Sequence, residues 1–278
     1  MKGNSKRKGK PQIIAIWIVV VIVLITSIGI AVKKLIFDKN DDESDSYEIT
    51  MKAIEKTESK EDFFVQISSS SRIYDKKISQ QVSTNGYIYT TDKKDFVYIY
   101  ANTKSNTLGS AANDFDVTVA MYSDGKNVYD NSTGKDELVE GITCEEFNNI
   151  VSEYELYKFN KEDVIKFTFN EDKNYKDGKS GDMLISFTRP NENVMNSLKE
   201  AISQYTKEDV SVEKINVVSA IAIYSIYEGT VISQSCSFNV NYEQENGNVI
   251  KYSTETNITY FDEENTESTS FISTKSEA

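Results

Sequence analysis

Alternation of apolar and polar residues, broken by short Asn-Gly and Asp-Gly steps, is the feature that most restricts the fold of this chain. The alternation occupies most of residues 62–261, and its period of two residues is that of a β-strand with one buried face. Asn85-Gly86, Asp124-Gly125 and Asn246-Gly247 each separate two such runs, and these dipeptides favour the left-handed turns of β-hairpins. Because short hairpin connections pair neighbouring strands antiparallel, the pattern predicts an antiparallel β-rich domain.

Eleven alternating runs are candidate strands. They lie at 62–72, 77–84, 87–92, 95–103, 114–123, 126–131, 163–170, 182–189, 209–226, 230–244 and 248–261. Three other segments, at 47–59, 144–157 and 192–205, place apolar residues at helical spacing. The first is expected to bury Ile49, Ala53 and Ile54, and the third Val194, Leu198, Ala201, Ile202 and Tyr205. Thr143 and Glu146 form an S/T-x-x-E capping box at the start of the second. The expected fold class is α+β, with a mostly antiparallel sheet and about three amphipathic helices.

The register of the last hairpin follows from its side chains. Tyr242 pairs with Ile250, and the apolar faces of the two strands coincide, only if the loop has three residues, Glu245-Asn246-Gly247, with Gly247 left-handed. A two-residue Asn246-Gly247 turn would mix the apolar and polar faces. We therefore predict the three-residue loop.

Another hairpin concentrates tyrosines on one side. A two-residue turn at Lys93-Lys94 pairs Tyr89 with Tyr98 and Tyr87 with Tyr100. Cross-strand aromatic pairs commonly stabilise sheets by up to about 1 kcal/mol each. The alternative is a platform on which a glycan or another ligand stacks, which requires exposed ring faces. Tyr87, Tyr89, Tyr98 and Tyr100 are therefore the candidate ligand-binding residues.

The N-terminal part predicts membrane attachment. Residues 13–32 are apolar apart from Thr26 and Ser27, and twenty helical residues span roughly 30 Å of hydrocarbon. Basic residues are concentrated ahead of this run, so the positive-inside rule keeps the N-terminus in the cytoplasm. A cleavable signal peptide processed near Gly29-Ile30-Ala31 is the alternative, although the apolar run is longer than a usual signal core.

These segments divide the chain into five parts. They are a basic cytoplasmic tail at 1–11, a transmembrane helix at 12–37, an acidic linker at 38–46, an extracytoplasmic β-rich domain at 47–261 and an acidic, disordered tail at 262–278. The expected location is the cell membrane, crossed once. From residue 38 onward the chain has 24 basic and 44 acidic residues, a net charge of −20. An acidic body of this kind repels phosphate backbones, so nucleic acid is not an expected partner.

The chain contains no histidine, which excludes several kinds of enzyme chemistry. Ser-His-Asp and Cys-His nucleophile pairs and His-ligated zinc or haem all require an imidazole. No G-x-S-x-G, C-x-x-C or H-E-x-x-H motif is present. We expect no catalytic residue, no metal and no cofactor. A carboxylate-based hydrolase is a remote alternative, because 44 acidic residues make chance carboxylate pairs common.

The two cysteines leave several arrangements open. A Cys144–Cys236 disulfide would close a loop of about 90 residues and stabilise the fold by about 4 kcal/mol in the chain-entropy model. Two buried free thiols are the other main arrangement. A functional thiol at Cys144 would benefit from its place at a helix start, but Glu145 and Glu146 oppose thiolate formation there.

Three segments are notable for their arrangement along the chain: KAIEKTESKEDFFVQIS at 52–68, MYSDGKNVYDN at 121–131 and SCSFNVNYEQENGNVIKYSTETNITYF at 235–261. Together they resemble the lipoprotein-carrier-like proteins of the LolA, LolB and LppX type. The resemblance is one of arrangement and covers roughly residues 47–261. It implies a strongly curved, half-barrel-like sheet that encloses helices and binds an acyl chain or a lipoprotein. The transmembrane anchor departs from that family's lipid-anchored or free periplasmic forms, which argues against a soluble shuttle.

The expected function is that of a non-enzymatic, membrane-anchored extracytoplasmic protein that binds a hydrophobic ligand, a lipid or an envelope component. The alternative is an envelope structural or interaction module that holds a protein or glycan partner through its acidic surface or the tyrosine face. A solidly packed concave face would count against the first expectation.

Overall fold

A computed structural model describes residues 41–60, 63–76, 78–91, 96–108, 114–147, 156–171 and 180–261. The predicted basic tail, transmembrane helix and C-terminal tail lie outside these residues, as do the Lys93-Lys94 turn and most of the helix predicted at 144–157. No helix among the described residues combines the length and apolarity needed to cross a bilayer.

Eleven strands of the described residues form one open, curved sheet, and its antiparallel pairing is the one that the alternation predicted. The runs predicted at 77–84 and 87–92 form a single strand, and the strand at Glu137–Leu138 was not predicted. In chain order they are β1 (Phe63–Tyr74), β2 (Ser79–Thr91), β3 (Phe96–Leu108), β4 (Asp116–Ser123), β5 (Val128–Asp130), β6 (Glu137–Leu138), β7 (Val164–Glu171), β8 (Gly181–Phe187), β9 (Ile215–Tyr227), β10 (Thr230–Glu243) and β11 (Val249–Phe261). Their spatial order is β6-β5-β4-β3-β2-β1-β11-β10-β9-β8-β7. The first and last strands therefore pair at the centre of the sheet, between two meanders.

Two long helices accompany the sheet, α1 (Asp41–Glu58) and α2 (Glu192–Thr206), with short 3-10 turns at Lys161–Asp163 and Val212–Lys214. α1 begins inside the segment predicted as an acidic linker. The predicted capping box is confirmed: Thr143 Oγ1 accepts the Glu146 N–H at 3.1 Å, and the Glu146 carboxylate accepts the Thr143 N–H at 2.8 Å. α2 buries Val194, Leu198 and Ile202 as predicted, whereas Ala201 and Tyr205 are only half-buried.

The buried stripe of α1 differs from the prediction at one position. Ala53 and Ile54 are buried as expected, but Ile49 is exposed. Thr50 and Thr57 are buried instead, and each donates its hydroxyl to the carbonyl oxygen four residues earlier, at 2.8 and 2.9 Å. A threonine that satisfies its own hydroxyl in this way can lie against an apolar core.

The Asp124-Gly125 and Asn246-Gly247 turns are confirmed. The Gln244 N–H donates to the Asn248 carbonyl at 2.9 Å, which leaves the predicted three-residue loop 245–247, and Gly247 has a φ of +76°. Tyr242 pairs with Ile250, as the face argument required.

The turn predicted at Asn85-Gly86 is wrong, because β2 continues through it without a break. A Cβ at Gly86 would lie 3.1 Å from the Ala101 Cα and closer still to the Tyr100 carbonyl oxygen of β3. The glycine therefore serves the close approach of two strands, which is the other common reason for glycine within a strand.

Both helices cover the same face of the sheet, here termed the inner face. Alternate residues of the strands, including Val65, Ile88 and Ile99, belong to one apolar core together with Ile54 of α1 and Leu198 of α2. The opposite face, termed the outer face, carries the intervening residues of each strand.

Candidate functional site

A row of aromatic side chains crosses the outer face in register. Its six members, termed the aromatic ladder, come one each from β11, β1, β2, β3, β4 and β5, and each pairs with the next: Phe261, Phe64, Tyr89, Tyr98, Tyr122 and Tyr129. Because neighbouring strands lie about 4.8 Å apart, the ladder is roughly 24 Å long. Tyr87, Tyr100 and Phe96 flank it on the same face and contact its rings.

The rings of this group stack on one another. Tyr87 stacks on Tyr98 and on Tyr100, with ring centroids 5.6 and 5.2 Å apart and interplanar angles of 23° and 19°. Tyr122 stacks on Tyr129 at 5.0 Å and 22°. Ring faces that stack in this way are turned to each other, so the edges and hydroxyls are left for a ligand. At these pairs the ring faces that a stacking platform would offer to a ligand are therefore covered by neighbouring rings.

The ladder forms a second buried layer, separate from the core. Phe64 and Tyr98 are only 9% and 8% exposed although they lie on the face away from the helices, and the other four ladder residues are half-buried. Burial among these side chains raises the pKa of Tyr98 well above the ordinary phenol value. Burial, together with the nearby Asp136 carboxylate, raises the pKa of Tyr122 to about 12. Both phenols are therefore neutral at physiological pH.

The four tyrosines predicted from the sequence lie in the predicted register, with Tyr89 opposite Tyr98 and Tyr87 opposite Tyr100. Their role in ligand binding stays a prediction. Sequence reasoning missed the ladder members Phe64, Phe261, Tyr122 and Tyr129. Each of them occupies an alternating position of its strand, so the sequence pattern that marks an aromatic face was present. Finding it requires the registers between β11, β1 and β2 and between β3, β4 and β5.

A segment of the chain itself, residues 156–160, packs on the inner face at β9 and β10. Leu156, Tyr157 and Phe159 of this segment are buried. The buried Gln234 side chain of β10 holds it by two hydrogen bonds, accepting the Tyr157 N–H at 3.1 Å and donating to the Tyr157 carbonyl at 3.4 Å. The Tyr224 hydroxyl donates to the same carbonyl at 2.5 Å.

The end of α1 holds the same segment from the other side. One oxygen of the Glu58 carboxylate accepts the Leu156 N–H at 3.1 Å, and the other lies 2.9 Å from the Lys158 Nζ. The Lys158 and Glu58 side chains are only 28% and 19% exposed. The segment is therefore tied to both α1 and the sheet.

A small cavity lies between α2 and the inner face of β10 and β11. Its lining includes Val194 and Leu198 of α2, Phe238 of β10, and Thr254 and Ile258 of β11. Its volume is about 20 Å³. A cavity of this size holds about one water molecule, whereas ligand pockets usually measure several hundred Å³. The packing of this part of the inner face thus counts against the expectation of an enclosed hydrophobic ligand.

Both cysteines are free thiols in the structure, so the Cys144–Cys236 disulfide is not formed there. Cys236 is buried on the inner face, and burial raises its pKa well above the ordinary thiol value. Cys144 is half-buried at the helix start. Among the described residues, no group of three or more Cys, Asp and Glu side chains is placed to hold a metal ion.

Comparison with known proteins does not place the chain in a family. No protein-family model and no curated protein matches it. Solved structures with some similarity include LprF from Mycobacterium bovis, at 10% identity and a TM-score of 0.35, covering 79% of this chain and 92% of that one. A β-barrel-like protein of domain of unknown function DUF1849 from Brucella abortus matches at 7% identity and a TM-score of 0.23, covering 72% and 98%. A DUF1329 family protein from Desulfovibrio piger matches at 8% and 0.19, covering 84% and 98%. At these values no activity or ligand is carried over, and the fold described above is defined by the chain's own strand pairing.

Proposed function

We propose that this chain is a membrane-anchored, extracytoplasmic, non-enzymatic binding module that holds an envelope component on the outer face of its sheet. The observation that carries the proposal is the aromatic ladder. Six rings are aligned across six strands on the face that does not contact the helices, and four of them are half-buried. Contiguous apolar surface outside a core commonly marks an interaction site.

The composition of the ladder suits recognition. Tyrosine supplies a large apolar contact area and a hydroxyl, and it loses little conformational freedom on binding because it has few rotatable bonds. The stacked neighbours hold the rings before a partner arrives: Tyr122, for example, lies between Phe96 and Tyr129 at centroid distances of 6.0 and 5.0 Å. Side chains that are already ordered cost less free energy to immobilise in a complex.

The inner face supports the outer-face assignment. Segment 156–160 and both helices occupy the side of the sheet where an enclosed ligand would lie. The cavity of about 20 Å³ beside α2 leaves too little room for an acyl chain. A binding role therefore fits the outer surface better than the interior.

The test is capture of the purified full-length protein by envelopes of the cells that produce it, measured by co-sedimentation. The double variant Tyr89→Ala/Tyr129→Ala removes two half-buried ladder rings. Tyr74→Ala is the matched control, because Tyr74 is a half-buried tyrosine ten residues along β1 from Phe64, and hence on the same face at the other end of the strand. Loss of interfacial aromatic residues commonly costs more than about 1 kcal/mol each, so the double variant should weaken capture by roughly tenfold or more.

The control should leave capture within about twofold of the wild type, since a side chain outside an interface contributes little to binding. Thermal unfolding of each variant establishes that it is folded. Equal capture of the folded double variant and the wild type would overturn the proposal.

A hydrophobic ligand between α2 and the sheet is the second candidate function. The observation in its favour is the lining of the cavity, where Val194, Leu198 and Ile258 lie beside the hydroxyls of Thr254 and Thr256. Such binding would require α2 to move away from β11. Native mass spectrometry of the full-length protein tests it: a co-purified lipid supports this candidate, and a ligand-free mass after mild extraction argues against it.

A further inference from the structure

The outer face beside the aromatic ladder is free of charged residues over two further cross-strand rows. The first, the middle row, consists of Thr259, Gln66, Tyr87, Tyr100 and Ala120. The second, termed the amide row, consists of Asn257, Ser68, Asn85, Asn102 and Thr118. No residue of the ladder or of these rows is charged, although charged residues make up 27% of the chain.

The ladder, the middle row and the amide row together form an uncharged band. Charged residues return in the next row along the strands, which bounds this band. That boundary row consists of Glu255, Ser70, Ser83, Lys104 and Asp116. Its Lys104 and Asp116 are paired with each other, with the Nζ 3.0 Å from a carboxylate oxygen. An anionic ligand on the band would therefore meet no opposite charge within it, and the Asp116 and Asp136 carboxylates that contact Asn102 and Tyr122 would repel it.

The amide row is both reachable and ordered. Asn85 and Thr118 are exposed, and the other three residues are half-buried. The Asn102 Nδ2 donates to the Thr118 Oγ1 and to an Asp116 carboxylate oxygen, both at 2.9 Å, so its amide is held in one orientation. An amide that is already oriented in this way loses less entropy when a ligand binds.

From this geometry we infer that the outer face binds an uncharged polysaccharide that runs across the strands, along the ladder and the amide row; the inference rests on the proposed function. Hydroxyl and carboxamide groups both donate and accept hydrogen bonds without carrying charge, as sugar hydroxyls do. Strands repeat about every 4.8 Å, so the amide row offers one polar side chain per strand over roughly 20 Å. The ladder edges supply the adjacent apolar contact.

The same features disfavour other partners. Phospholipid headgroups and nucleic acids carry phosphates, for which the band provides no cation. A tight protein interface has a largely apolar centre, whereas here an amide and hydroxyl row lies beside the rings. The neutral polysaccharide uses both the apolar and the polar part of the band.

The test uses glycans from the producing cells. Envelopes are digested with protease and extracted with organic solvent, and the released polysaccharide is separated on an anion exchanger into a neutral and an acidic fraction. Each fraction is coupled to beads and incubated with the full-length protein. Phosphatidylcholine vesicles serve as a lipid arm, in which only the difference between the wild type and Tyr89→Ala/Tyr129→Ala is scored, because the proposed membrane anchor binds vesicles in both proteins. Of the two glycan fractions we expect retention on the neutral one only, and we expect vesicle binding that is equal for the wild type and the ladder variant.

A pair of double variants tests the amide row itself. Ser68→Ala/Asn85→Ala removes two polar side chains that are paired across β1 and β2. Ser70→Ala/Ser83→Ala is the matched control, because it truncates the neighbouring cross-strand pair on the same two strands, outside the band. Two lost neutral hydrogen bonds weaken binding by roughly tenfold, so the first variant should fall by about that factor and the control should stay within about twofold.

Four results would overturn the inference: retention on the acidic fraction in preference to the neutral one, vesicle binding that is lost in Tyr89→Ala/Tyr129→Ala, equal weakening by the two amide-row and boundary-row double variants, or no retention on either glycan fraction. In each case ladder-dependent capture by whole envelopes would leave the proposed function standing. Equal capture of the wild type and the ladder variant by whole envelopes would refute the proposed function itself, so the two failures are distinguishable.

Discussion

Replacement of Gln234 by leucine tests the argument that a buried amide holds segment 156–160 on the inner face. Gln234 is 3% exposed, and its Oε1 accepts the Tyr157 N–H at 3.1 Å. In Gln234→Leu that N–H loses its hydrogen-bond partner in the interior, where Tyr157 is itself 3% exposed. A buried donor without a partner costs about 1–3 kcal/mol.

Three factors limit the loss. The Tyr157 carbonyl keeps its hydrogen bond from the Tyr224 hydroxyl at 2.5 Å, so this acceptor still has a partner in the variant. The bond from the Gln234 Nε2 is long, at 3.4 Å, and contributes little. The leucine side chain gains some burial of apolar surface in return. We expect a net destabilisation of about 2 kcal/mol.

Urea unfolding monitored by circular dichroism measures this difference as a shift in the midpoint at unchanged slope. Gln81→Leu is the control, because Gln81 is exposed on β2 and its side chain donates to the Ser70 hydroxyl at 3.3 Å. We expect that control to stay within about 0.5 kcal/mol of the wild type. A Gln234→Leu variant as stable as Gln81→Leu would show that the Gln234 side chain does not hold segment 156–160.

Three further predictions concern a glycine, a phenol and the thiols. Gly86→Ala should destabilise the fold by roughly 2–3 kcal/mol in the same assay, because its Cβ meets the β3 backbone. Gly134→Ala has open space around its Cβ and only a positive φ, so it should cost about 1 kcal/mol. Equal costs for the two variants would contradict the close approach of β2 and β3. The Tyr122 phenol should titrate near pH 12. Because its folded-state pKa is raised from 10.0, the stability that the neutral phenol contributes is complete below pH 10 and is lost between about pH 10 and 12. The difference in phenolate absorbance between the wild type and Tyr122→Phe measures this titration, and a midpoint near pH 10 would refute the prediction. A thiol reagent should modify half-buried Cys144 readily in the native protein and buried Cys236 only after unfolding, with two thiols in denaturant without reductant; fewer than two would indicate a disulfide.

Much of the sheet could be predicted because its signals are local. Alternation locates strands, and the Asn246-Gly247 loop sets the β10–β11 register because a one-residue shift would turn Tyr242 and Val240 to the wrong face. The same argument places Tyr89 opposite Tyr98. It failed at Gly86, since glycine marks a turn and a close strand contact equally well in sequence.

The candidate site was predicted only in part. The pairing of β2 with β3 follows from one short connection, but the ladder also depends on β1 pairing with β11, whose residues are far apart in the chain. Exposure of the rings was not predictable either. Phe64 and Tyr98 are buried by neighbouring rings on a face that the alternation would assign to solvent.

By itself the sequence determined the antiparallel strands, the α1 and α2 segments, the capping box at Thr143 and the absence of imidazole chemistry, because each depends on residue type or on neighbours within a few positions. Only the tertiary structure decided that six rings align across the outer face and that segment 156–160 packs on the inner one. The contacts that hold this segment join residues 67 to 98 positions apart, to Glu58, Tyr224 and Gln234. Such pairs are selected by the whole packed chain, since a buried N–H must find whichever acceptor the fold brings within reach.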